Sequence, residues 1–73
     1  MQVIGERLLL RAVMREGLLG EEVDHHVVAH LGDGMADWPV KAGDKVFYQH
    51  GTKVSILGEE YVLVEADQVV AVL

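Results

Sequence analysis

The sequence predicts an all-β fold, a small irregular β-barrel, and two observations carry that prediction. Short runs rich in Val and Leu alternate apolar and polar residues, which is the period-2 pattern of half-buried strands. Turn signals built from Gly, Asp and Pro separate these runs about every 8–12 residues, as in small sandwiches and barrels. With 73 residues the chain forms one domain, residues 1–73.

Composition narrows the possible functions. The formal net charge of −6 argues against a nucleic-acid partner and against an anionic membrane surface. The chain has no cysteine, so neither a disulfide framework nor a thiolate metal site supplies stability. A domain this small buries only about 60% of its unfolded surface, and association with other copies is therefore an expected source of stability.

The N-terminal region predicts an apolar arm followed by a strand. Gly5 separates the arm, Gln2–Ile4, from the strand, Arg7–Val13. In that strand Leu8 and Leu10 share one face and Leu9 lies on the other. A helix is the open alternative here, because Leu, Arg, Ala and Met all favour helices. The start lacks the apolar core of a signal peptide, and we expect a cytoplasmic protein.

The next segment, Met14–His26, predicts an exposed loop. It contains two glycines, four acidic residues and two histidines around an isolated Leu18-Leu19 pair. A second strand then runs over Val27–Leu31, with Val27, Ala29 and Leu31 expected on one face and His26, Val28 and His30 on the other. The signal Gly32-Asp33-Gly34 ends it, and Met35–Pro39 forms a short connection.

The second half of the chain predicts four more strands. The stretch Val40–His50 turns at Ala42-Gly43-Asp44 and enters a strand at Val46. Residues 53–57 and 61–65 form a hairpin around a corner at Gly58-Glu59-Glu60. A turn at residues 66–68 leads to a final apolar strand, Val69–Leu73.

Four pieces of the sequence resemble the chaperonin-10, or bacterial co-chaperonin, family: IGERLLLRAV, VVAHLGDG, VKAGDKVFYQHG and GEEYVLVEADQVVAVL occur in that family's order. The resemblance implies an irregular β-barrel, a homo-oligomer in a heptameric ring, and a large chaperonin subunit as the partner that the ring caps to assist folding. In this family a loop after the first strand binds the chaperonin, which points to Gly17, Leu18, Leu19 and Gly20. The family's ring joins the first residues to the neighbour's last strand, here Gln2, Val3, Ile4, Val69, Val70, Ala71, Val72 and Leu73.

Two segments depart from the family. The loop Met14–His26 is short, with arms reaching roughly 20 Å at about 3.3 Å per residue. Residues Met35–Trp38 are too few for the long roof hairpin, as in phage-encoded co-chaperonins. The two ends of the chain are apolar strands, and strands with unpaired edges tend to aggregate. Head-to-tail pairing between copies would cover these edges, which is consistent with a ring.

Alternatives remain open at this point. The Leu18-Leu19 pair is either a partner-binding site or an ordinary contact with its own barrel, and the terminal strands pair either between subunits or within one. A phage structural or adaptor ring that never binds a chaperonin is the second candidate function. A generic SH3-like or nucleic-acid-binding barrel is disfavoured by the acidic charge.

The sequence predicts no enzyme, no cofactor and no metal site. The only serine is Ser55, on a predicted strand, so no Ser-His-Asp set exists. Three histidines that lie close together in the sequence, His25, His26 and His30, could suggest a metal site. However, strand spacing separates His26 from His30 by about 13 Å, which is too far for one ion.

Overall fold

A computed structural model describes all residues from Met1 to Leu73 and shows an all-β protein, as the sequence predicts. Six strands form one antiparallel sheet in the order β4-β5-β1-β2-β3-β6. The sheet is not closed, so β4 and β6 are its edges. The strands are β1 Arg7–Gly17, β2 Gly20–Leu31, β3 Lys45–Tyr48, β4 Thr52–Ile56, β5 Glu59–Glu65 and β6 Val69–Val72, with one 3-10 turn at Ala66–Gln68 before β6. No helix is long enough to span a membrane.

The core lies on both faces of β1, the strand that pairs with β2 and with β5. Leu8 and Leu10 are fully buried and belong to the main cluster, which also includes Val28, Met35, Val40, Val46, Val64 and Ala66. Leu9 points the other way and packs with Val3 and Tyr61 in a smaller cluster. The predicted division of these leucines between two faces is confirmed, because side chains alternate along a strand.

The predicted loop at Met14–His26 is wrong: the chain forms a long β-hairpin there. Strands β1 and β2 stay paired out to Gly17 and Gly20, leaving only Leu18 and Leu19 in the turn. The positive φ that a short turn requires falls on Gly20 (118°), where a residue without Cβ adopts it freely. Glycine and acidic residues in this segment indicate exposure, but they do not prevent two chains from forming a hydrogen-bonded ladder.

The faces predicted for the second strand also need correction, because β2 contains a bulge. Leu9 lies opposite His30 and Leu10 lies opposite Val28, so Ala29 has no partner on β1. An extra residue shifts the alternation beyond it by one. Leu31 therefore packs against the same main cluster as Val28 and not beside Ala29, which contacts the smaller cluster.

The hairpin between β4 and β5 turns one residue earlier than expected. Leu57 and Gly58 have φ of 51° and 82°, the pattern of a two-residue turn with both central residues in the left-handed region. The predicted corner at Gly58-Glu59-Glu60 is therefore wrong, and both glutamates are the first residues of β5. Leucine rarely adopts a positive φ, so its place inside the turn was not expected from the residue type.

No strand lies between Leu31 and Lys45, so the roof hairpin is absent, as expected. A turn at Gly43-Asp44 brings the chain back to the sheet. Gly43 has φ of 92°, and the Asp44 carboxylate accepts a 2.9 Å hydrogen bond from the backbone N–H of Lys41. The predicted corner is therefore confirmed, with glycine supplying the backbone angle and aspartate capping the turn.

The N-terminal arm is bound to its own barrel. Val3 forms a parallel bridge with Gly32, and its carbonyl accepts a hydrogen bond from the Asp33 N–H at 3.0 Å. The Asp33 carboxylate in turn accepts a 2.7 Å hydrogen bond from the Gly5 N–H. Val3 is thus buried within its own subunit, so this part of the arm has its partners there.

Replacing Gly32 by Ala should severely destabilise the fold. An added Cβ would lie 2.1 Å from the Gly5 carbonyl oxygen and 2.6 Å from that of Arg7, and neither backbone atom can move without breaking the arm contact. We expect a loss of about 3 kcal/mol or more, measured by urea unfolding. Gly20→Ala is the control, since it meets no atom within 4 Å and carries only backbone strain. Equal losses in the two variants would contradict this account.

Candidate functional site

The turn between β1 and β2 presents an apolar tip. The side chains of Leu18 and Leu19 are 105% and 103% exposed, so neither contacts its own barrel. The sheet brings the four predicted residues together as one turn, with Gly17 opposite Gly20 at its base. Two leucines fully in water at the end of a paired hairpin gain nothing for the fold and are available to a partner.

Charged side chains brace the hairpin below its tip. Arg15 on β1 forms salt bridges across the ladder with Glu22 at 3.0 Å and with Asp24 at 3.5 Å. These groups are largely exposed, so solvent screening leaves the bridges little effect on stability. The His25 ring lies 2.6 Å from the Asp24 carboxylate, and this hydrogen bond lowers the pKa of Asp24.

The base of the hairpin is held by an aromatic contact. His26 on β2 meets Tyr48 on β3 edge to face, with ring centroids 5.0 Å apart. The Tyr48 hydroxyl lies 3.4 Å from Nε2 of His26, a long hydrogen bond. Burial lowers the pKa of His26, and the nearby charge of His25 lowers it further. The neutral imidazole is therefore the form that fits this position.

The histidines do not assemble a metal site. The bulges on β2 separate them, and His30 packs instead against Tyr61, with ring centroids 5.8 Å apart. Nowhere in the structure do three His, Cys, Asp or Glu side chains come together in a way that would hold a metal ion.

The second candidate surface is the open edge formed by β6. One side of β6 pairs with β3, matching Phe47 with Ala71 and Val46 with Val72, so this strand is partly satisfied within the subunit. Its outer side has no neighbouring strand. The side chains of Val70 and Leu73 are exposed there, while Val69 packs against the main cluster.

An apolar cleft of about 500 Å³ lies beside this edge. Trp38, Pro39 and Val40 form one wall and residues 69–72 form the other. In the arm, Gln2 and Ile4 are exposed. The arm bridges to Gly32 and β6 pairs with β3, so the two terminal segments are not paired with each other inside one subunit.

Comparison with known proteins bears on both surfaces. The model of the family described as "Chaperonin 10 Kd subunit" matches residues 20–73, from the hairpin turn to the end of the chain. The chain belongs to the chaperonin-10 family. It is also 30% identical over 80 residues to the co-chaperonin GroES of Kosmotoga olearia, an alignment that covers 93% of this chain and 90% of that protein. Co-chaperonins are a non-enzymatic class of chaperones, and the family supports a co-chaperonin role for this chain.

The matched region of this chaperonin-10 protein contains another exposed leucine that the sequence analysis did not single out. Leu57, in the turn between β4 and β5, is 97% exposed. The sequence feature that could have indicated this residue is a Leu-Gly pair at a hairpin turn, where Asn-Gly or Asp-Gly is usual.

The stability of this protein should fall as the pH drops toward 5. The folded-state pKa of His26 is below its unfolded value, so its contribution is present above pH 6.5 and is lost as the pH falls through the folded pKa. The variant His26→Phe keeps a ring against Tyr48 without a titrating group. We expect its melting temperature to vary less between pH 7.5 and pH 5 than that of the unmodified protein.

His50→Gln is the control for this experiment. His50 is an exposed histidine between β3 and β4, and its replacement should leave the pH profile of the melting temperature as it was. A profile that is unchanged in His26→Phe would show that another group carries the pH dependence. Asp24 acts in a different window, since its lowered pKa removes stability only at more acidic pH.

Proposed function

We propose that this protein is a co-chaperonin whose ring caps a chaperonin and binds it through the Leu18-Leu19 tip. The observation that carries the proposal is the complete exposure of two adjacent leucines at the end of a paired hairpin. Membership of the chaperonin-10 family and the similarity to a protein named co-chaperonin GroES support the same function.

The hairpin also supports the proposal by its length. The pairing of β1 with β5 ends at Leu10 and Val62, and Leu18 lies eight residues further along the chain, just past the end of β1. At about 3.3 Å per residue the tip lies roughly 26 Å beyond that last pair. A hairpin of this length agrees with the 40 Å long axis of the subunit.

The energetics favour reversible, multivalent docking. Burying two leucines yields about 3–6 kcal/mol of transfer free energy per subunit, at about 1.5–3 kcal/mol per side chain. Much of the hairpin is already paired, so docking orders fewer residues than it would in a disordered loop. One tip binds weakly, but several tips on one ring act together through their effective concentration.

We further propose that subunits join head to tail into a ring of seven. The outer edge of β6 and the cleft beside it receive the exposed side of a neighbour's arm, which includes Gln2 and Ile4. In this arrangement the arm lies between Gly32 of its own subunit and β6 of the next. A contact between two different surfaces repeats around a ring until it closes.

Replacing Leu18 and Leu19 by Ser should abolish chaperonin binding. Both side chains are solvent-exposed, so the loss of apolar contact leaves the melting temperature of the ring unchanged within about 2 °C. Binding is measured by a pull-down of a large chaperonin in the presence of nucleotide. Retained binding by the variant would exclude the tip from the contact, whereas no binding by the unmodified ring would favour the alternative, a phage structural or adaptor ring.

Introducing a charge on the outer edge of β6 should break the ring. In Val70→Asp an exposed valine becomes a carboxylate on an edge that must be desolvated in the assembly. Native mass spectrometry should show a heptamer for the unmodified protein and a folded monomer for the variant. Val23→Lys, at a similarly exposed valine on the hairpin, is the control and should remain a ring. A monomeric unmodified protein at micromolar concentration would refute the assembly.

A further inference from the structure

The turn between β4 and β5 carries two features that the fold does not explain. Leu57 is the only residue other than glycine with a positive φ, and its side chain is almost entirely in water. Each feature disfavours leucine at this position. Asn, Asp or Gly populates the left-handed region more readily and would also expose less apolar surface.

Strained and exposed residues of this kind concentrate where a protein binds something. Leu57 belongs to neither apolar cluster of its own subunit. The β4-β5 pairing has no gap next to the turn and runs from Ile56 opposite Glu59 to Thr52 opposite Leu63. A leucine side chain at this turn therefore serves no visible purpose within the subunit.

The topology places Leu57 at the same end of the sheet as the Leu18-Leu19 tip. Strand β5 is antiparallel to β1, so the start of β5 lies toward the end of β1. Extending the register of Leu10 and Val62 puts Leu57 level with Arg15, three residues short of Leu18. At about 3.3 Å per residue this is roughly 10 Å along the strand direction.

An apolar groove of about 460 Å³ lies between the two hairpins. The half-exposed side chains of Met14 and Val23 line it on one side and Val62 lines it on the other. Lys53 and Glu60 are the charged residues along it. The three most exposed leucines of the chain lie in the turns at the ends of these two hairpins, and the groove lies between the strands that lead to them.

We propose that Leu57 is a second anchor for the chaperonin, and that it docks on the same apolar surface of the chaperonin subunit as Leu18 and Leu19. This inference rests on the proposed function. It commits to the chaperonin because Leu57 lies at the same end of the sheet as the docking tip, whereas the proposed ring contact uses the opposite edge strand, β6. A contact through Leu57 adds to the binding made by the β1-β2 hairpin.

The test is Leu57→Asn, which separates stability from binding by moving them in opposite directions. Asn fits the backbone at φ of 51°, so the free ring should melt a few degrees higher. Its affinity for a large chaperonin, measured in the presence of nucleotide by surface-immobilised binding, should fall about tenfold or more, since the loss is repeated in every subunit. Leu57→Met restores an apolar side chain and should recover most of the affinity.

Unchanged affinity of Leu57→Asn for the chaperonin would overturn the role of Leu57. The variant with Leu18→Ser and Leu19→Ser is measured alongside, because its affinity tests the proposed function separately. Dissociation of the ring by Leu57→Asn, seen in native mass spectrometry, would also overturn the role of Leu57, because the leucine would then contact a neighbouring copy. If Leu57→Asn did not fold, Leu57→Gly fits the same backbone and would be measured in its place.

Discussion

The antiparallel ladder between β1 and β2 is the interaction on which the rest of the structure depends. It runs from Leu8 opposite Leu31 to Gly17 opposite Gly20 and is the longest pairing in the protein. Its lower part places Leu8, Leu9 and Leu10 in the two apolar clusters. Its upper part, beyond Leu10, is not hydrogen-bonded to β5 and carries the leucine tip. A single hairpin thus links core formation to the position of the proposed docking residues.

Stability in so small a sheet has to come from several weak sources. The buried clusters are modest, there is no disulfide, and the cross-strand ion pairs are exposed. The backbone contacts of the arm with the Gly32-Asp33-Gly34 segment fasten the N-terminus over the smaller cluster. The strands β4 and β6 are the open edges of the sheet. In the ring proposed above, a neighbouring subunit supplies the missing hydrogen bonds of β6, so assembly and folding are coupled through that strand.

The base of the β1-β2 hairpin and the part of the hairpin above it differ in charge. The His26-Tyr48 contact at the hairpin base favours a neutral imidazole. Above it, the exposed side chains of Arg15, Glu22 and Asp24 form ion pairs, and the less exposed His25 is hydrogen-bonded to Asp24. The tip beyond them is purely apolar. A partner that receives the leucines therefore meets a charged stem around an apolar end, which disfavours non-specific sticking between free rings.

The sequence by itself determined the fold class, most strand positions, the corner at Gly43-Asp44 and the absence of a roof hairpin, because alternation and turn chemistry are local properties. It also singled out Leu18-Leu19, since an apolar pair inside a polar segment is visible without coordinates. Only the tertiary structure decided that Met14–His26 is a ladder and that Ala29 bulges, because both depend on which residue lies across the strand. The burial of Val3 on its own barrel and the location of Leu57 beside the tip depend likewise on contacts between residues far apart in the chain, which local patterns do not encode.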